Sequence, residues 1–342
     1  MARRQRSLPS TPVRESVRRA ATELQHVTLN SDAINRVATE WMTDEFELPR
    51  WDAPVFPDES VPGTTVEDVV DFLFVGNAVN FAFRDFETGE KFTAEYDGIE
   101  WDGAFGMWAC FKRAYERGDP ILSGEYLSKL TRDDIERLFE PADGRQIPML
   151  NKRHQILQSV GGRLATSYNG HFHNLVQHAP PQLFDDGKGI VDRLVANFPS
   201  FKDTHTLNTS AGPQRVHFHK RAQLAPAMAY GRFHGTPHFP LQEPEEFTIF
   251  ADYNLPNVFR SLGILEYDDD LIELIDSGTI LEGGSQKEVE LRVATVAAAD
   301  HLMTEINAKR EVPVHAPHLD YKLFSIRDTV ETPVHKARTS DY

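Results

Sequence analysis

Between about residues 286 and 308, Val289, Val293, Val296, Ala299, Met303 and Ile306 recur at steps of three and four. That spacing predicts one long amphipathic helix. Such a helix must bury its apolar stripe against other elements, and the rest of the chain offers mostly helices for the purpose. Thr11 and Pro12 read as the N-cap and first position of another, with Val13, Val17, Ala20, Leu24 and Val27 on one face. Thr131 caps a third, before Ile135, Leu138 and Phe139. Residues 149–160, 188–197, 257–263 and 269–276 also carry helical spacing.

Strand signals are confined to one region. The run Phe72 to Phe83, with alternating aromatics around Gly76-Asn77, suggests a β-hairpin. Lys91 to Tyr96 and Ile99 to Trp101, split by Asp97-Gly98, add two more strands. The expectation is a mainly α protein with one small antiparallel β-sheet, without the strand–helix alternation of a doubly wound fold. Residues 44–66 read as an irregular connection, rich in Pro, Asp and Glu. The Pro-rich loop at 235–244 is a candidate boundary, but one domain over 11–342 is the preferred reading. The first ten residues, MARRQRSLPS, are Arg-rich and lack acids. That composition suits a transit peptide; the helix that follows at once suits a short flexible tail, which is the reading taken.

Charge and cysteine content narrow the function classes. The 342 residues hold 52 acids against 36 Lys plus Arg, a formal net charge of −16. That balance argues against duplex nucleic-acid binding, which relies on many basic contacts to phosphate. It leaves room for a small phosphorylated ligand held by one or two cations. Cys110 is the single cysteine, so no intrachain disulfide forms, which fits the reducing cytoplasm. No apolar run approaches the ~18 residues that suggest a membrane span.

Several familiar chemistries lack their motifs. Fourteen histidines include His171-Phe172-His173 and His217-Phe218-His219, yet there is no HExxH and no Cys/His zinc spacing. No metal is expected. A G-x-S-x-G elbow, a Walker loop and a complete dinucleotide fingerprint are also absent. Two acids stand out instead. Asp252 lies between aromatics in Phe250-Ala251-Asp252-Tyr253, and Asp320 in Leu319-Asp320-Tyr321. A carboxylate among aromatic rings is costly without a partner and is a candidate for chemistry; equally, Asp252 can cap the helix after Pro256. Lys220-Arg221 can hold a phosphate or start a solvated helix.

These pieces resemble the queuosine salvage proteins, the family of queuosine 5′-phosphate N-glycosylase/hydrolases. The likeness runs in order through Phe74-Val75 with Asn80-Phe81, Phe198-Pro199-Ser200 and Phe218-His219-Lys220-Arg221-Ala222-Gln223. It continues through Phe250-Ala251-Asp252-Tyr253, Leu262-Gly263, Glu288-Val289-Glu290 with Arg292, and Leu319-Asp320-Tyr321. Pro12 to Ser16 agree at the start, and His335, Arg338 and Tyr342 at the finish.

The resemblance implies hydrolysis of queuosine 5′-monophosphate to queuine and ribose 5-phosphate, serving queuine salvage into tRNA. It also implies a fold similar to helix-hairpin-helix DNA glycosylases and no metal or organic cofactor. Asp252 takes the place of the family's nucleophile or transition-state stabiliser. Phe218, Phe250, Asp320 and Tyr321 are the implied base contacts. Five residues after Asp320, where family members can carry a second acid, this chain has Ser325, whose polar contact to ligand is then weaker or water-mediated. Lys220 is the candidate for the 5′-phosphate. The expected partners are the small-molecule substrate and product alone, with no nucleic acid or membrane, and the protein is expected to be a monomer. A non-catalytic queuine or nucleoside carrier is the alternative; it would keep the aromatics and Asp320 but give Asp252 no task.

Overall fold

The computed structural model describes residues 8–342; the first seven residues of the expected tail lie outside the described residues. The long helix spans Gln286–Ala308. It is more than amphipathic, because every residue from Glu288 to Val296 is buried. Helices Pro12–Ala20, Ser31–Glu40, Leu255–Ser261 and Ala316–Ile326 pack around it. Burial of its polar residues is tolerable because they are partnered. Glu290 accepts the backbone N–H groups of Gln25 and His26 at 2.9 and 2.7 Å.

The predicted caps form. Thr11 accepts from the Arg14 N–H, with Pro12 at the first helical position. Thr131 and Asp134 make a reciprocal capping box. The first helix ends at Ala20, so Leu24 and Val27 lie beyond it, the former after a 3₁₀ turn and the latter in a strand. Helices also occupy Ile190–Asn197 and Asp269–Asp276, near the expected bounds, and Leu150–Ser167, which runs seven residues past the expected end at 160; residues 44–65 are irregular.

The expected hairpin at 72–83 does not form. Val66–Ala78 is a helix, started by a Thr65/Asp68 capping box, and every residue from Val69 to Ala78 is buried. A helix that is apolar on all sides carries no helical period, and its chance alternation of aromatics mimics a strand. Gly76 serves close packing rather than a turn: a Cβ there would lie 1.9 Å from Cζ3 of Trp108.

Strands Thr93–Tyr96 and Ile99–Asp102 pair antiparallel across Asp97 and Gly98, both at positive φ, as a two-residue hairpin loop requires. The expectation of one small antiparallel sheet is corrected to four separate two-stranded pieces among the described residues. Three are antiparallel, including Thr204–Thr209 with Gly212–His217, and Ile280–Glu282 with Lys336–Arg338 is parallel. Two of the four join strands more than fifty residues apart, which local patterning does not encode. The architecture is therefore mainly helical with small β pieces. Among the described residues no helix is long and apolar enough to cross a membrane.

Two buried arginines shape the chain after Ala78. Arg153 donates to the carbonyls of Val79, Phe81 and Ala82, and its guanidinium lies 4.3 Å from the Phe81 ring centre. Arg221 donates to the carbonyls of Ala78 and Ser200. A helix end leaves carbonyls without intrahelical partners, and these guanidiniums supply them in the core. The segment so fixed carries Asn80, Phe83 and Arg84 into the wall of a cavity.

Candidate active site

Asp252 opens the turn into Leu255–Ser261. Its Oδ1 accepts the backbone N–H groups of Asn254 at 2.7 Å and Leu255 at 3.2 Å; Asp252 thus holds the turn ahead of the helix, while the N-cap position itself belongs to Asn254. Its Oδ2 has one long contact, 3.4 Å from Asn254 Nδ2, and the residue lines the cavity. One oxygen is thus tied down while the carboxylate still faces open space.

Asp320 projects into the same cavity from Ala316–Ile326, and its Oδ1 accepts the Phe250 N–H at 3.1 Å. Burial, reinforced by the charge of Asp252, raises its pKa to about 8, against opposition from that hydrogen bond and Lys220. Lys220 is the first residue of helix Lys220–Arg232, entered through His219 in the left-handed region at φ 50°. It is buried and lines the cavity. Desolvation lowers its pKa, and the charges of Asp252 and Asp320 oppose the drop. Lys220, Asp252 and Asp320 thus share one cavity wall, and their charges act on one another. Arg221, its neighbour, is spent on main-chain carbonyls and is not in the wall.

Phe250 and Tyr321 line the cavity with the aromatics Trp51, Phe83, Phe105, Tyr253 and Phe324. Two expected contacts stand elsewhere. Phe218 is buried behind the wall, with the Arg292 guanidinium 4.0 Å from its ring centre. Ser325 is exposed, its hydroxyl donating to the Lys322 carbonyl, and it is not in the wall. Five of the seven expected site residues are brought together: Asp252, Lys220, Phe250, Asp320 and Tyr321.

A family model described as queuosine salvage protein matches residues 60–342. The chain belongs to the queuosine salvage protein family. A queuosine 5′-phosphate N-glycosylase/hydrolase of Sphaerobacter thermophilus is 30% identical, over 96% of this chain and 96% of its own length. Proteins of the same name from Bos taurus and Mus musculus are 28% and 26% identical, covering 96% and 98% of this chain and 98% and 99% of theirs.

In this family member a buried ion pair supports the site from behind. Arg292 grips Asp203 through two hydrogen bonds, 2.8 and 2.6 Å. Burial alone would raise the pKa of Asp203, but Arg292 and His205 more than offset this and hold its carboxyl far below the usual range. His205 is pushed up to about 10 by its hydrogen bonds to Asp203 and Asp341. Asp203 Oδ2 also accepts the Lys220 N–H at 3.1 Å, while Arg292 Nε reaches the carbonyl of Ala251 at 3.4 Å. One ion pair thus fixes the backbone at Lys220 and immediately before Asp252. The Arg292 guanidinium is sandwiched between the rings of Phe218 and Tyr342, the latter at 4.8 Å and itself in the cavity wall.

Sequence reasoning missed this support, and it missed three wall cations, Arg84, Lys91 and Arg327, of which Lys91 is paired with Asp102 at 2.8 Å. Arg84 and Arg327 line the cavity with Tyr253 and Asp252; burial raises the pKa of Tyr253, and their charges oppose the rise. Arg84 Nε is buried without a hydrogen-bond partner. No spacing in the chain points to either residue. A segment near the cavity was legible only as irregular: Pro49 and Trp51 lie in its wall, held where the Pro49 carbonyl would be 2.2 Å from a Cβ at Gly231.

Proposed function

We propose that this chain hydrolyses the N-glycosidic bond of queuosine 5′-monophosphate, releasing queuine and ribose 5-phosphate for salvage of the base into tRNA. The observation that carries the reading is the carboxylate of Asp252 in the cavity wall, anchored through one oxygen. Glycosidic cleavage builds positive charge at C1′ and the ring oxygen of the sugar. A pre-positioned carboxylate beneath C1′ stabilises that charge, electrostatically or through a transient bond. Queuine is a 7-deazaguanine and offers no N7 to protonate, so more of the barrier must be lowered from the sugar side.

Asp320 is the partner for the base. As a carboxylate it accepts from the N1–H and exocyclic amine of a guanine-like ring. Phe250 and Tyr321 provide faces for stacking. Phe218 acts from behind, through Arg292, and Ser325 meets the ligand only through water. Lys220 shares the wall with Asp252 and Asp320 and feels both charges, so its role lies in stabilising the Asp252 carboxylate and the bound base. The 5′-phosphate is reassigned from Lys220 to Arg84 and Arg327, two guanidiniums whose fork geometry suits phosphate.

The carrier alternative leaves Asp252 its structural turn alone and gives its other oxygen no task in the cavity. Kinship with helix-hairpin-helix DNA glycosylases belongs to the same reading and is supported by the mainly helical build. A cytoplasmic location belongs to it too, in keeping with the single, buried thiol of Cys110; a monomer needing no cofactor is part of the same reading, with sedimentation as the check on oligomeric state. The test of the central claim is incubation of purified protein with queuosine 5′-monophosphate. Free queuine should appear with the wild type and fail to appear with Asp252→Asn, which should still bind queuine. Equal release by the two proteins would remove Asp252 from the mechanism.

A further inference from the structure

The two H-F-H motifs have different fates in the fold. His217-Phe218-His219 ends a strand and starts the Lys220 helix. His171-Phe172-His173 starts the short helix Phe172–His178, with Phe172 buried against Phe74, Phe198 and Phe201. Both of its histidines then meet one acid from far away in the chain. Asp71, in the middle of Val66–Ala78, places Oδ2 2.9 Å from His171 Nδ1 and 2.8 Å from His173 Nδ1. Its Oδ1 accepts the His173 N–H at 2.7 Å, so the carboxylate is held rigidly. Asp71 is buried, while the His171 and His173 side chains are 35% and 22% exposed.

We propose that Asp71, His171 and His173 form a binding site for a divalent transition-metal ion, Zn²⁺ by its donor set, that clamps helix Phe172–His178 to helix Val66–Ala78. The three candidate ligand atoms lie within 4.8 Å of one another. Two imidazole nitrogens and one carboxylate oxygen are a borderline donor set that suits zinc, cobalt or nickel; calcium and magnesium prefer all-oxygen sites, and copper(I) prefers sulfur. Without metal, each Nδ1–H donates to the shared Oδ2. On binding, the ion takes the place of these two protons, and each neutral ring carries its proton on Nε2 instead. Zinc–ligand bonds of about 2.0–2.2 Å in a tetrahedron need ligand atoms a little over 3 Å apart, so both contacts open by about half an ångström. The part-exposed histidines can move that far, and their open side leaves room for water as a further ligand. Glu125 and Asp68 also act on His171 and temper the positive charge that the ion brings.

The second such cluster, Asp203, His205 and Asp341, is not equivalent. Both oxygens of its Asp203 are engaged by Arg292. The Asp71 cluster has no cation pressed against its carboxylate among its hydrogen bonds.

The test uses untagged full-length protein, stripped with EDTA and dialysed. Titration with ZnCl₂ alone should show one saturable equivalent per chain by calorimetry, with a rise in Tm of a few degrees at saturating metal. CoCl₂ should give the visible absorption of a low-symmetry site. His173→Ala and His171→Ala should each lower affinity at least tenfold and abolish the Tm rise, whereas His205→Ala should leave both intact. Both histidines are part-exposed, so these variants are expected to fold, and circular dichroism checks that they do. Absence of a one-equivalent event in the wild type, or binding unchanged in both the His171 and the His173 variants, overturns the proposal.

Discussion

Asp320 should make queuine binding dependent on pH, in the same direction as any acid that must be ionised to bind but in a window displaced upward to neutral pH. Its pKa of about 8 in the free protein means that the neutral acid dominates at pH 7. The base, however, offers N–H donors and needs the carboxylate. Binding therefore selects the ionised fraction, about one half at pH 8, one tenth at pH 7 and one hundredth at pH 6. The apparent Kd should fall about 50-fold from pH 6 to pH 8, close to 1.4 kcal/mol per pH unit in the steep part, and level off above pH 8. Calorimetry in buffers of different ionisation enthalpy should show close to one proton released per queuine bound at pH 6.5. Asp320→Asn should bind more weakly but lose this component, and subtracting its profile removes any titration of the ligand itself. Tightening of affinity as pH falls through 8 would refute the reasoning, because Asp320 would then be acting as the donor. A profile shared by wild type and Asp320→Asn would refute it too.

Asp252→Asn should keep the fold and queuine binding while losing turnover by on the order of 10² or more, as removal of a principal electrostatic group does; steady-state kinetics with the nucleotide is the measure. Arg84→Ala combined with Arg327→Ala should erase a nucleotide-over-nucleoside preference of about 10- to 150-fold, whereas Lys220→Ala should impair both substrates alike; kcat/KM for the two substrates decides. Asp203→Ala should cost about 3–5 kcal/mol by removing the bidentate partner of buried Arg292 and leaving it only the more distant Glu288, 3.9 Å away, read from the midpoint of urea unfolding. Asp320→Asn should raise Tm: a folded pKa above the unfolded value makes the wild type lose stability as pH climbs from about 4 to 8, so the mutant's advantage should grow across that window. Turnover should survive EDTA, since the proposed zinc position ties two helices together and takes no part in the chemistry.

The sequence alone determined the features that are local. Thr11-Pro12 and Thr131 cap helices because a side-chain oxygen three residues from an unpaired N–H is a short-range fact. Asp97-Gly98 turns a hairpin because two adjacent residues can take positive φ there. The recurrence from Val289 to Ile306 marks a helix whatever surrounds it. The Phe250–Tyr253 and Leu319–Tyr321 segments pointed to Asp252 and Asp320, and they do line one cavity. Tertiary structure decided the rest. Val66–Ala78 is surrounded by core, and full burial erased the period that would have marked it as a helix, leaving only the Thr65/Asp68 box as a local signal. Phe218 went behind the wall and Ser325 outside it, because which face of a segment meets a cavity depends on what packs against the other. Arg84 and Arg327 come to one cavity wall with Tyr253 from distant parts of the chain, and Asp71 meets His171 across a hundred residues. Such meetings are fixed by how helices close around a shared core, where each charge must find a partner, and no spacing along the chain records them.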